Sequence, residues 1–375
     1  MERKQNTYKI LFAVIIIVLV LPAIQGEFKI FKPNNLEGYF VSTPKDTLSL
    51  GEWLAGNYQN NLTEVTKDNI GFRPFLIRLH NQIQYSLFGK VSAAGVVVGK
   101  ENYLYEMNYI KAYNGTDFLG KDSIKIKVDK LAVIRDSLKK HGIDIIVGLA
   151  AGKGSFYPEY FPEEYQNQKA KITNQQYFKK LAMENNIPCI DFNSWFVNAK
   201  DTSRYMLYPK YGIHWSYYGM VKVADSLIRY VEDLRNTNLI NLEITDIEIT
   251  DDIKRGDYDI GHSLNLLYQL PSPKMAYPKF RWSPDSTATK PKVLVIGDSF
   301  YWGLYNMGLP TNSFDTGGFW YYFKQAYPEN KPVKQMNIKE KILEQDIIIL
   351  LGTEATFDRY PYGFIENTYN ALMSP

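Results

Sequence analysis

The chain has 375 residues, 45% of them apolar, and a formal net charge of +3; a chain of this length and composition buries a substantial core, which excludes a disordered protein. Its lysines and arginines form no dense block and no nucleic-acid-binding signature is present, so nucleic acid is not an expected partner. The single cysteine, Cys189, excludes an intramolecular disulfide framework and a thiolate metal cluster. No His/Asp/Glu cluster has ligand spacing and no phosphate loop occurs, so no metal or cofactor is assigned.

Arg3, Lys4 and Lys9 lead into an apolar run from Ile10 to Ile24, the pattern of a charged n-region and an h-region. The run is shorter than the roughly 20 residues of a membrane span, yet Ala23-Ile24-Gln25-Gly26 makes a poor cleavage site. Anchor and signal peptide over residues 1–26 therefore both fit, and the anchor is the favoured reading. From Glu27 to about Leu62, Pro33, Asn34, Asn35 and Gly38 break any period, so an extended stem is expected over 27–68.

Ile77 to Phe88 has helical apolar spacing, and Val91 to Tyr105 reads as a glycine-punctuated hairpin. Asp122 to His141 is an amphipathic helix stopped by Gly142, followed by a buried strand from Ile143 to Leu149. The alternation continues with Asn174–Asn185 as helix and Ile187–Phe192 as strand. Ser216–Leu234 reads as helix, Lys292–Ile296 as strand, and Ile338–Leu351 as helix then strand. Repeated helix–strand order predicts an α/β, doubly wound parallel sheet with helices on both faces over about 69–370. The pattern lapses between about 236 and 290, where Pro271, Pro273, Pro278 and Pro284 cluster, and an insertion over the sheet rim is expected there.

The strand leading to Gly297-Asp298-Ser299-Phe300 places a serine on a tight turn at the sheet's carboxyl edge, where open α/β sheets bind ligands. Ser299 presents a hydroxyl and a backbone N–H to that edge; the plainer reading is a helix cap. A serine nucleophile needs a base, and the chain has four histidines. His80 and His141 sit in helices. His214 lies in a loop before a helix, beside Trp215, and His262 in the insertion is a minor candidate.

The two segments, with Gly71-Phe72-Arg73-Pro74, Gly99-Lys100, Leu104-Tyr105, Gly152-Lys153 and Tyr157-Pro158-Glu159, resemble the SGNH-hydrolase-like domain of the alginate O-acetyltransferase family, the AlgX and AlgJ group. In that family an Asp-x-His-Trp segment precedes a Gly-Asp-Ser-Phe segment, as His214-Trp215 precedes Gly297-Asp298-Ser299-Phe300 here. The resemblance implies a flavodoxin-like SGNH fold in the periplasm, with Ser299 as nucleophile and His214 as base. It further implies a polysaccharide substrate and an acyl donor delivered by a membrane-bound O-acyltransferase partner.

Gly212 stands where the family has its orienting Asp. Glu354 and Asp259 are the leading candidates to replace it, with Asp201 and Asp257 behind them. Gly152-Lys153-Gly154 and Gly352-Thr353 are candidate oxyanion loops, Lys153 is either a substrate contact or a solvated loop charge, and Trp215 is a candidate substrate contact. Two functional readings stand: an O-acetyltransferase or acetylesterase working through acyl-Ser299, and an impaired member that binds glycan or scaffolds an acyltransferase complex.

Overall fold

The computed structural model describes residues 2–32, 34–38, 42–166, 168, 172–283 and 285–373; Met1, Pro33 and Pro284 lie outside them. The chain forms two compact units, one gathering residues through Ala93 with Gly261–Leu270, the other Ala94–Ile260 with the remainder from Pro271.

In the first unit the apolar start of the chain is a helix, Glu2–Phe28. Its stretch from Gln5 to Phe28 has 24 residues, longer than the apolar run alone and long enough to cross a membrane. The irregular segment expected up to Leu62 instead holds two helices, Leu50–Leu54 and Asn57–Asn69. Ser49 Oγ accepts the Glu52 N–H at the first, a capping signal that the preceding breakers obscured. The Arg73–Phe88 helix follows, with Pro74 in its first turn, and Asn81 Nδ2 donates to the Leu264 carbonyl at 3.0 Å.

The second unit is built on a seven-stranded sheet in the order Lys331–Pro332, Gln325–Tyr327, Asp315–Tyr321, Lys292–Gly297, Ile347–Thr353, Asp144–Ala150, Cys189–Asp191. The last five are parallel. The first two are antiparallel edge strands, so the sheet is mixed where an all-parallel one was expected. These strands are short and, with Asp315–Tyr321, aromatic and glycine-containing, and lack the aliphatic runs that mark buried parallel strands.

Asp144–Ala150 and Ile347–Thr353 are buried at every position, as strands covered on both faces must be. One face receives the Lys121–Lys139 helix through Ile124, Val128, Leu131, Ile134 and Leu138, spaced three and four apart. Gly142 then turns the chain with φ +74°, a left-handed value that glycine adopts freely. On the same face pack Phe178 and Leu181 of Asn174–Glu184 and Phe364 and Ile365 of Phe364–Met373.

Residues 236–290 form a long antiparallel ribbon, Asn241–Thr250 paired with Met275–Ser283, with a bulge at Ile244/Asp246. The ribbon holds the two ends of the loop that carries Asp257 and Asp259.

Leu350 is fully buried in this core and Leu372 packs at its margin. Leu350→Ala should cost about 2–5 kcal/mol and Leu372→Ala clearly less; urea denaturation of both variants checks the order, and equal losses would contradict a core centred on the sheet.

Candidate active site

Three strands end at one edge, and each delivers a segment singled out in the sequence: Ser299 after Lys292–Gly297, Glu354 after Ile347–Thr353 and Lys153 after Asp144–Ala150. The chain reverses its direction of strand addition here, the position at which such sheets bind ligands.

Asp298 is buried and ties the turn to the neighbouring strand. It accepts N–H bonds from Phe300 at 3.1 Å and Thr353 at 2.8 Å and the Thr356 hydroxyl at 3.0 Å. Burial raises its pKa against those three bonds. The helix that follows has no side-chain cap, so Ser299 does not cap it, and Ser299 Oγ lies 2.9 Å from His214 Nε2. Burial raises the Tyr322 pKa, and the neighbouring Ser299 side chain opposes that rise.

His214 Nδ1 lies 2.6 Å from Asp259 Oδ2. A carboxylate beside Nδ1 fixes the proton on that nitrogen and leaves Nε2 as the acceptor for the serine hydroxyl. The other Asp259 oxygen accepts the Ile213 N–H and the Ile260 N–H, each at 2.8 Å, so one carboxylate orients both the ring and the loop bearing it. Burial alone would lower the His214 pKa. The Asp259 hydrogen bond and charge, aided by Asp298 and Glu106, outweigh it and hold the imidazole above its ordinary value.

Of the replacement acids, the structure brings Asp259 to His214. Glu354 is buried elsewhere: it accepts the Ser155 N–H at 2.9 Å and the Ser155 hydroxyl, and a Cβ on Gly154 would lie 2.8 Å from its Oε1. Burial pushes its pKa up to about 7. Asp201 is exposed after the Phe192–Ala199 helix. Asp257 is buried in the wall of the site, accepts the Tyr217 N–H at 3.1 Å and is raised to about 7 by burial.

The expected oxyanion loops are occupied by other duties. Glu354 takes N–H groups of Gly154 and Ser155, Asn193 takes that of Gly152 at 2.9 Å, and Asp298 takes that of Thr353. Gly352 lies under the rings of Tyr360 and Tyr362. Lys153 is neither solvated nor free for substrate: it is wholly buried, and its Nζ donates to the carbonyls of Lys210 at 2.8 Å and Gly212 at 2.5 Å. Burial lowers its pKa to about 7, against the opposing charges of Asp259 and Glu106. Trp215 is buried and packs edge-on against Phe300 with centroids 5.0 Å apart, while also bordering the cavity below.

A cavity of about 330 Å³ opens on Ser299 and His214, walled by Trp215, Tyr217, Met220, Asp257 and Trp302. Lys254 stands in its rim over the Tyr277 ring at 4.3 Å. Sequence reasoning missed Tyr322, whose backbone has φ +49° and whose ring lies under Arg359 at 5.1 Å. Its place inside the five-residue aromatic run Phe319 to Phe323 gave no signal that separates it from packing residues.

Gly212 has a steric reason to be glycine. A Cβ there would lie 2.7 Å from Pro209 Cγ and 3.1 Å from the backbone carbon and oxygen of Asp257. Gly212→Asp should therefore lower stability by about 1–3 kcal/mol, as overpacking does, and should leave an Asp259→Asn protein as inactive as before. Thermal unfolding and a paired activity assay check both; recovered activity in the double variant would contradict the steric account.

No curated protein gives a significant match. Among solved structures the chain is similar to the O-acetyltransferase domain of Pseudomonas putida AlgJ, at 16% identity and TM-score 0.48, covering 74% of this chain and 99% of that one. Pseudomonas aeruginosa AlgX aligns at 14% identity and TM-score 0.45 over 72% and 67%, and Bacillus cereus PatB1 at 10% and 0.46 over 72% and 99%. The family described as ALGX, the SGNH hydrolase-like domain of acetyltransferase AlgX, matches residues 96–303, more than half the chain, and the protein belongs to that family.

Proposed function

We propose that the protein is an extracytoplasmic O-acetyltransferase acting on polysaccharide hydroxyls through an acyl-Ser299 intermediate. The observation that carries this reading is the relay from Asp259 through His214 to Ser299, at 2.6 and 2.9 Å. Donors and acceptors in this order are what a serine nucleophile requires.

In the first half-reaction Ser299 Oγ attacks the acetyl carbonyl of the donor as His214 Nε2 takes the hydroxyl proton. Asp259 steadies the imidazolium. The carbonyl oxygen, now carrying the negative charge, is met by the Ser299 N–H, and collapse of the tetrahedral species expels the donor oxygen, which takes the proton back from His214. In the second half-reaction a sugar hydroxyl repeats the sequence on acyl-Ser299 and leaves as the acetyl ester; water in the same position gives acetate. The tryptophan and phenylalanine walls limit water at the acyl group, which favours the sugar.

Acetyl supply by a membrane-bound O-acyltransferase partner and a periplasmic location fit the family and the apolar Gln5–Phe28 helix, which serves as anchor in this reading. The alternative of an impaired glycan-binding member rests on Gly212 and the aromatic content of the chain; the carboxylate of Asp259 beside His214 supports the catalytic reading against the first of these.

Release of acetate from an acetyl ester, and its transfer to an oligosaccharide, should fall about 10⁴-fold or more in Ser299→Ala and His214→Ala, and about 10⁴-fold in Asp259→Asn. Binding of oligosaccharide with no turnover by the wild-type protein would sink the catalytic reading. The imidazole must be neutral to act as base and its pKa is raised in the folded protein. Activity should accordingly fall with decreasing pH through a value above the ordinary His pKa of about 6.5. The residual activity of Asp259→Asn should fall at lower pH than in wild type, because the carboxylate that raises the pKa is gone; a pH profile of kcat/KM reads this directly.

A further inference from the structure

The first unit carries an apolar surface that the acyl-transfer site does not use. The Arg73–Phe88 helix exposes Phe75, Leu79, Ile83 and Leu87, one residue per turn, with Leu76 and Phe88 beside them; Leu87 is 70% and Phe88 61% exposed. A four-turn stripe of large apolar side chains facing outward needs a cover.

The helix begins at the end of the long apolar helix. The Gly71 N–H donates to the Pro22 carbonyl at 3.0 Å, and a Cβ on Gly71 would lie 2.6 Å from both Gln25 Cβ and the Gly26 N. The turn before Arg73 therefore rests on the last turns of the Glu2–Phe28 helix with no side chain between them, and the Phe31 and Phe72 rings meet beside it at 6.1 Å. A cavity of about 790 Å³ at this junction is lined by Lys29, Lys32 and Arg73 together with Phe31 and Phe72 and by Asp68, which lies 3.6 Å from Arg73. Cations and aromatic rings at the end of an apolar helix are the composition of a membrane–water boundary, where they meet lipid phosphates and carbonyls.

We propose that the Arg73–Phe88 helix lies on the lipid bilayer, its apolar stripe in the interfacial region and Lys29 and Lys32 at lipid phosphates. This rests on Gln5–Phe28 spanning that bilayer, and not on acyl transfer. The bilayer is the occupant because the stripe starts at Phe75, four residues after the Gly71 contact with the spanning helix, so the span itself holds it at the depth where an amphipathic helix inserts. Any protein partner would have to displace lipid already present.

The test uses the full chain in vesicles of phosphatidylcholine and phosphatidylglycerol, with Cys189→Ala as background and a fluorophore placed singly through Ile83→Cys, Leu87→Cys or Val14→Cys. The expected result is loss of emission from the labels at positions 83 and 87 with lipids brominated near the headgroup, little loss with aqueous iodide, and loss at position 14 with lipids brominated deep in the chain. Quenching of position 14 by deep bromine while 83 and 87 respond to iodide alone would overturn the proposal and leave the span standing. Shielding of 83 and 87 from both quenchers would also overturn it, showing a protein, such as a second copy, on the stripe. Failure of position 14 to respond to brominated lipid would remove the span and the proposal together.

Discussion

Close packing of Gly212 against the backbone of Asp257 is the contact on which the site is assembled. With no Cβ at 212, the loop from Lys254 to Asp259 comes near enough for a carboxylate two residues later in that loop to reach His214 Nδ1. The segment from Lys210 to His214 is then held by its backbone from three directions. Lys153 binds the carbonyls of 210 and 212, the Tyr208 hydroxyl binds that of Ile213 at 2.6 Å, and Asp259 binds the Ile213 N–H. Each is a buried or half-buried polar group that would be costly unpaired, so the loop has one conformation and the imidazole one direction.

The sheet was legible because its central strands carry aliphatic runs and two of them, Asp144–Ala150 and Ile347–Thr353, follow helices, a pattern that few other arrangements satisfy. Ser299 and His214 were legible for a related reason: a small polar turn after a buried strand and a histidine before a helix are positions, and topology brings positions together. The choice between Asp259 and Glu354 was not legible. Both follow elements that end near the site, and which one meets His214 depends on the path of the insertion, whose irregular loop has no periodicity to read. The edge strands after Asp315 were missed because Gln325–Tyr327 and Lys331–Pro332 are only three and two residues long, too short to show a period.

Glycines near a catalytic serine invite an oxyanion reading, and Gly152 and Gly154 show how the same residues serve another end. They are glycine because the Glu354 carboxylate lies against them, where it accepts the N–H groups of Gly154 and Ser155. Lys153 between them points the other way, into the protein, to the histidine loop. One three-residue segment therefore ties the end of the last strand to the loop that aims the base, and its glycine–lysine–glycine pattern follows from packing and charge with no substrate involved.

Supplying the carboxylate beside His214 from a distant loop, and not from position 212 two residues before it, changes what the imidazole's orientation depends on. An acid at 212 would share its loop with His214 and hold its geometry locally. Asp259 instead reaches the site from between the strands Asn241–Thr250 and Met275–Ser283, so the distance from carboxylate to imidazole is set by the register of that ribbon. Tyr277 of the second strand carries this dependence inward: its hydroxyl accepts the Lys254 N–H at 2.8 Å, at the start of the loop, and its ring supports the Lys254 ammonium. Because the ribbon is two-stranded and one of its pairings is already bulged, it is the least self-supporting element on which the relay relies. The contact between Asp259 and His214 is thereby coupled to the folding of an insertion that contributes neither Ser299 nor His214.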